Sequence, residues 1–345
     1  MNRFKCTLYA SIIIVIFILC CEVFLSFIDI DLKLLKKVLF YQADDLEVYK
    51  VSENAERLFE LRPGSSAQYN YLIHPKEIKY TTRTVTINSL GFRDQERQKI
   101  KDKNVFRIII LGGSNTYGAA VSNEDTYPAQ MQRIFDITYP GKIEVWNAGV
   151  CAYVLSQKIA YAEYIIETFD PDLLIFQHNN LGRRAFLLNM NMKSLKASFR
   201  KNRELYAENI PLLFLNKSIK THNFLVSYSR IYRIFFISLN VMFHIYERMY
   251  PSWSPFADIH SAQKFDEFLK KYKDKKIIVF DPIENGKRCD TLKRKIKEDV
   301  TCFFLNTENK DEEYSYVHPP SYVYEWYAQE LCAFLMENNY LSNMN

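Results

Sequence analysis

The sequence predicts an α/β protein built on a parallel sheet with helices on both faces. Two observations carry this. From residue 105 onward, short apolar β-branched runs alternate with stretches of helical period. The first such run leads through Gly112-Gly113-Ser114-Asn115-Thr116-Tyr117-Gly118 straight into a helix, and three of the nine glycines fall in that turn.

Taken in chain order, the first element is an apolar run from Leu8 to Ile28, about 20 residues, enough to cross a hydrocarbon core of about 30 Å. Arg3 and Lys5 precede it, which favours a cytoplasmic N-terminus and export of the remainder. No small-x-small cleavage site follows, which argues against a cleaved signal peptide. Cysteine rather than a small residue precedes Cys21, which argues against lipidation. The expectation is a single-pass inner-membrane anchor over 1–28 with the rest facing the periplasm or cell exterior. Glu22 lies inside the run near its exit end, where a carboxylate snorkels or stays protonated.

Residues 29–103 form an extension in which only Tyr80 to Ile87 alternates as a strand does, ending at the turn Asn88-Ser89-Leu90-Gly91. The α/β region spans 104–340. Val105 to Leu111 is apolar on both faces, as a buried parallel strand requires. Further strands are predicted at Ile143–Asn147, Leu173–Phe176, Lys276–Phe280 and Val300–Phe304. Helices are predicted from Tyr127, over Leu155–Thr168 and over Tyr322–Asn338. The rhythm fails between Arg183 and Ala262, a helix-like, aromatic-rich insertion. Within it, Ile231 to Tyr246 is too short and too interrupted by Arg233, Asn240 and His244 for a second span. It suits a cap over the active site or an amphipathic helix on the membrane.

Composition narrows the function classes. The net charge of +5 arises from 45 basic and 40 acidic residues, with no basic stripe interleaved with stacking aromatics, so a nucleic-acid role has no support. The seven cysteines follow no CxxC or zinc spacing, and an exported chain permits a disulfide without the sequence naming one; buried free thiols are the expectation. No P-loop, HExxH or EF-hand pattern is present, so no metal or cofactor is expected.

Ligands of open parallel sheets bind beyond the carboxyl ends of the strands. Those positions hold Ser114, the turn Asn147-Ala148-Gly149-Val150, and His178-Asn179-Asn180; Val317-His318-Pro319-Pro320 stands before the last helix. On its own the glycine-rich turn reads equally as a helix start with Ser114 as N-cap. Acyl transfer needs a hydroxyl, a base and N–H donors for an oxyanion, and these blocks contain all three.

In order and spacing, Ile87 to Asp94, Ile108 to Gly118, Asn147 to Val150, Pro171 to Asn180 and His318-Pro319 resemble the SGNH, or GDSL-like, hydrolases, specifically a bacterial membrane-anchored branch. The resemblance covers about residues 83–340 and implies a flavodoxin-like three-layer fold. It implies Ser114 as nucleophile, His318 as base, and an oxyanion hole from the N–H groups of Ser114 and Gly149 with the amide of Asn180, or of Asn179. Three departures stand out. Gly113 replaces the usual aspartate, the third block reads His178-Asn179-Asn180 rather than Gly-x-Asn, and Ser315 stands where the acid three residues before the histidine belongs. Glu313, Glu312 or Asp311 could serve His318 instead, a Ser315 hydroxyl could orient it, or a dyad could suffice.

Around this centre, His178 reads as a substrate contact or a packed histidine, and Arg183 and Arg184 as an anion fork or a solvated pair. Trp326 with Tyr322, Tyr324 and Tyr327 reads as packing of the last helix. The expected function is a serine esterase or O-acyltransferase acting on an acylated glycan or small ester of the cell envelope. Its rival is a catalytically weak or inactive binding or assembly protein on the same shell.

Overall fold

The computed structural model describes residues 3–39, 46–54, 56–74, 79–119, 121–178, 192–201, 203, 220–249, 259–283, 285–308, 310–315 and 318–342. Along the chain lie α1 (Arg3–Ile28), α2 (Ile30–Leu39), β1 (Tyr49–Val51), β2 (Phe59–Leu61), β3 (Ser66–His74) and β4 (Lys79–Thr86). There follow β5 (Phe106–Gly112), α3 (Ser114–Tyr117), α4 (Tyr127–Thr138), β6 (Ile143–Gly149), α5 (Leu155–Phe169) and β7 (Leu173–Gln177). The remainder comprises α6 (Met192–Lys201), α7 (Lys220–Tyr228), α8 (Arg230–Met249), α9 (Ile259–Lys271), β8 (Lys276–Asp281), α10 (Lys287–Lys293), β9 (Thr301–Phe304) and α11 (Ser321–Glu337). These elements divide into two compact units, one of residues 42–189 and 258–345, the other of 1–41 and 190–257.

The first unit holds the parallel sheet, in the order β6-β5-β7-β8-β9. Every residue of β5 is buried, because helices cover both faces of the strand, and its sequence accordingly lacks polar alternation. On one face, α4 and α11 pack on each other and on Ile108, Ile110, Val145, Ile175, Ile278 and Phe280. On the other, α5 and α9 close over the sheet, with Phe176 edge-on to Phe265 and Phe268. Strand order runs to one side of β5 and then the other, so the crevice between the carboxyl ends of β5 and β7 is the switch point where such sheets bind ligands. The parallel sheet flanked by helices is as the sequence predicted.

The extension is richer than one strand. It forms two antiparallel hairpins, β1–β2 and β3–β4. They pack with the sheet unit: Tyr153 Oη donates to Phe59 O, Gln157 Nε2 donates to Arg57 O at 2.7 Å, and the Arg57 guanidinium lies over Tyr161 and Tyr164. Cys289 and Cys302, expected as free thiols, are joined as a disulfide between α10 and β9. They stand 13 positions apart in the sequence, a spacing that carries no sequence signature.

The second unit contains α1, α2, α6, α7 and α8. Helix α1 contains an apolar stretch, Cys6–Ile28, long enough to cross a membrane, with none of it buried inside the protein. Helix α8 contains the interrupted run of the insertion and packs on α1 and α2. Asp31 and Arg233 form a buried ion pair at 2.7 Å, and Leu32, Leu35, Leu195, Phe199, Val226 and Ile237 fill the interior.

Candidate active site

Ser114 opens the four-residue helix α3 directly after β5, and Gly113 precedes it with φ −92° and ψ −146°. The turn is held from several sides. Gln177, buried at the end of β7, accepts from Gly113 N at 3.1 Å and from Thr116 Oγ1 at 3.4 Å, and donates to His178 O at 2.8 Å. Thr116 Oγ1 also bonds Tyr127 Oη at 2.8 Å. Gly112 has to be glycine here: a Cβ would meet Thr116 Oγ1 at 1.8 Å.

Beneath the turn, the buried Arg93 guanidinium donates to Tyr117 O, Gly118 O and Val121 O at 2.8, 2.6 and 2.6 Å and to Asn123 Oδ1 at 2.9 Å. It also stacks over the Tyr117 ring. Its neighbour Asp94 pairs with Arg97 at 3.0 Å and accepts from Asn147 N at 3.4 Å. Burial pushes the Asp94 carboxyl above its ordinary range, and Arg97 opposes that shift. The Arg93-Asp94 strap thus ties the serine turn to the block at Asn147. From sequence none of the three carries a role of its own; the signal is that Arg93-Asp94 ends the block Ile87 to Asp94 and that Gln177 lies within the block Pro171 to Asn180.

With its backbone held, Ser114 presents a half-buried hydroxyl that makes no hydrogen bond among the described residues. Its N–H is likewise unengaged there. Gly149 closes β6. Its N–H donates to Asn147 Oδ1 at 3.0 Å, and a Cβ on it would meet Tyr117 N at 2.2 Å, so it serves as the close-approach point of α3 on β6. Two residues beyond Val150, whose N–H donates to Gly112 O, Ala152 adopts φ 61° and its N–H makes no hydrogen bond among the described residues. That left-handed backbone at a non-glycine residue is a constrained conformation of the kind found at functional loops.

His318 is half-buried and precedes Pro319, which is buried, and Pro320, which leads into α11. Helix α11 is joined to the serine turn by Tyr324 Oη donating to Asn115 Oδ1 at 3.4 Å, and to α4 by Gln130 Nε2 donating to Ser321 O at 3.3 Å. Burial alone lowers the His318 pKa, which keeps the imidazole neutral and able to accept a proton at pH 7. No hydrogen bond or ion pair joins His318 to a carboxylate among the described residues. Glu313 is half-buried and unpaired there, Asp311 is exposed, and Ser315 closes a short turn from Glu312.

His178 is buried, makes no side-chain hydrogen bond among the described residues, and is driven down to a pKa of about 3 by burial and then by Lys158, Arg288 and Lys295. It is a neutral packed ring rather than an acid. Lys158, wholly buried, donates to Gln177 O at 2.6 Å. Tyr324 and Tyr327 are core residues beside Tyr127, the packing role expected for them. Asn179, Asn180, Arg183 and Arg184 lie outside the described residues. Among the described residues no cluster of His, Cys, Asp and Glu could hold a metal.

A serine turn at the switch point of a 2-1-3-4-5 sheet, with a histidine ahead of the last helix, is the arrangement the five sequence blocks pointed to. The chain resembles SGNH hydrolases in fold. Solved structures similar to it include a two-domain esterase active on acetylated mannans, 13% identical over 68% of this chain and 50% of that one, with a TM-score of 0.39. A lipolytic protein of the G-D-S-L family from Desulfitobacterium hafniense is 11% identical over 66% of this chain and 98% of that one, with a TM-score of 0.33. An acetyl xylan esterase variant from Geobacillus stearothermophilus is 14% identical over 70% and 96%, with a TM-score of 0.35. This chain spans about half the length of the two-domain mannan esterase. No family model matches the chain, and no curated protein sequence does.

Proposed function

We propose that this chain is a membrane-anchored serine esterase or O-acyltransferase that forms an acyl-enzyme at Ser114. The observation that carries this is an unengaged hydroxyl on a turn immobilised by Gln177, Tyr127 and Arg93, with a neutral histidine on the segment leading into α11. In the reaction, Ser114 Oγ attacks the ester carbonyl and His318 accepts its proton. The N–H of Ser114 stabilises the oxyanion, joined by Asn180 or Asn179 and by a donor from the loop after β6. Gly149 supplies that donor only by giving up its bond to Asn147; Ala152 N–H is available without such a loss. The proton then passes to the leaving alkoxide, and water or a sugar hydroxyl resolves the acyl-enzyme. Labelling of purified full-length protein by a fluorophosphonate at Ser114, absent in Ser114→Ala, tests the reading; an unlabelled wild type overturns it.

The α1 span and the Cys289–Cys302 disulfide support a domain facing the periplasm or cell exterior, where disulfides persist. That location supports an acylated envelope compound as substrate. A C-terminal reporter active only outside the cytoplasm tests orientation. The second reading, a weak or inactive binding protein, is favoured by one observation: no carboxylate partners His318 among the described residues. Such a protein would bind its ligand in the Ser114→Ala form as tightly as in the wild type and turn over neither.

A further inference from the structure

Glu22 is an anomaly as a residue of a lipid-facing helix, and the structure gives it a partner. Its carboxylate accepts from Ser229 Oγ, from Arg230 N at 2.8 Å and from Ile231 N at 3.1 Å. These are the N–H groups that the first turn of α8 leaves unsatisfied, so a side chain of α1 caps α8. Three such bonds also remove the carboxylate from contact with hydrocarbon, which otherwise carries a heavy desolvation penalty.

The cap fixes a depth. The apolar span Cys6–Ile28 has 23 residues, about 35 Å of helix. Centred on a hydrocarbon core of about 30 Å, it places Glu22 about 8 Å from the midplane and about 7 Å inside the boundary. The start of α8 therefore lies below headgroup level. From there, Arg233 and Ile237 face the interior of the helical unit, while Ile231, Phe235 and Met242 form a stripe on the opposite side at helical spacing. Phe235 and Met242 are 56% and 59% exposed, and on α7 Phe224 and Tyr228 are 60% and 57% exposed. In the same unit, exposed Phe24 and Phe27 mark the exit end of α1. Lys33, Lys193, Lys201 and Lys220 of this unit are exposed, and such cations suit headgroup phosphates.

We propose that α7 and α8 are seated in the membrane leaflet at the Ile28 end of α1, with the Phe235–Met242 stripe against lipid acyl chains and Glu22 as the residue that sets their depth. The occupant is lipid, because the stripe belongs to the same packed unit as the span and is tied to it within the hydrocarbon layer. This inference rests on the reading of α1 as a membrane span. It gives the helical unit a second, half-embedded attachment through α7 and α8 in addition to α1.

The test uses the full chain in nanodiscs of equal phosphatidylcholine and phosphatidylglycerol, with benzoylphenylalanine replacing Phe17, Phe235 or Phe224 one at a time. Irradiation followed by mass spectrometry is expected to yield lipid adducts at all three positions. Adducts at Phe17 with none at Phe235 and Phe224 overturn the proposal and leave the span intact. No adduct at Phe17 overturns the membrane reading itself and the proposal with it. Glu22→Ala is expected to lower the Phe235 lipid adduct at least fivefold with the Phe17 adduct unchanged. An unchanged Phe235 yield in that variant overturns the role given to Glu22.

Discussion

Arg93 donates through Nη1 to Tyr117 O at 2.8 Å, at the last residue of the helix that Ser114 begins. The same nitrogen reaches Gly118 O, and Nη2 reaches Val121 O. One buried guanidinium therefore satisfies three carbonyls as α3 ends and the chain turns toward α4. Its planar fork of donors matches this set; an ammonium on a flexible stem does not.

Arg93→Lys is accordingly expected to destabilise the protein by about 2 to 6 kcal/mol, because two buried carbonyls lose their donor at about 1 to 3 kcal/mol each. Ester turnover per folded molecule should fall at least about tenfold as the serine turn loosens. Denaturant melts with activity corrected for folded fraction check both. Wild-type turnover in a destabilised variant would separate Arg93 from the site.

What was legible in the sequence follows from burial. Strands β5 to β9 and helices α5 and α11 lie around one sheet, and Ile108, Ile110, Leu173 and Ile175 leave continuous apolar runs that mark buried parallel strands. Strands β1 and β2 have three residues each, too short to show a period; in the second hairpin β4 announces itself by alternation, while β3 alternates only from Ser66 to Tyr71 before Leu72-Ile73 breaks the period. The serine turn was legible because glycine clusters there. Gln177, Arg93 and Asp94 were not assigned roles, since a polar side chain that bonds backbone far along the chain has no local period. Glu22 looked anomalous for the same reason: its partners are more than two hundred residues away.

Ser114 and Gly149 should separate chemistry from packing. The Ser114 hydroxyl makes no hydrogen bond among the described residues, so Ser114→Ala is expected to remove short-chain ester hydrolysis with a melting temperature nearly that of the wild type. Gly149→Ala keeps the N–H but drives a Cβ to 2.2 Å from Tyr117 N and 2.5 Å from Thr116 C. That clash is with backbone, so the variant should lose about 2 kcal/mol or more as well as activity. A fully stable Gly149→Ala would contradict the close approach of α3 to β6.

Acid should weaken the fold through His178. Its folded pKa of about 3 lies below the unfolded value of about 6.5, so the unfolded chain binds the proton first as pH falls. Stability from this group is present above about pH 6.5 and is lost as pH drops toward 3, by up to about 1.4 kcal/mol per pH unit. His178→Gln should flatten that slope in chemical melts between pH 7 and 4. An identical slope in both proteins would remove His178 as the cause.

If His318 is the proposed base, it should govern the pH dependence of turnover, and its pKa is shifted in the same direction. Burial lowers its pKa below the ordinary 6.5, and no carboxylate bonds it among the described residues, so half-protonation of the imidazole is reached only at a pH below 6.5. The acid limb of kcat/KM should therefore inflect below that value. Ser315→Asp places a carboxylate three residues before the histidine, where it can hold the tautomer and stabilise the imidazolium. The expected result is a kcat higher by at least about tenfold, equivalent to about 1.4 kcal/mol of barrier, with the acid limb moved to higher pH because the charged form is now favoured. If Glu313 already serves His318 during turnover, Ser315→Asp leaves the rate unchanged and Glu313→Gln lowers it. Rates and pH profiles unaltered by either substitution would show that His318 does not act as a carboxylate-supported base, and would favour a dyad or the non-catalytic reading.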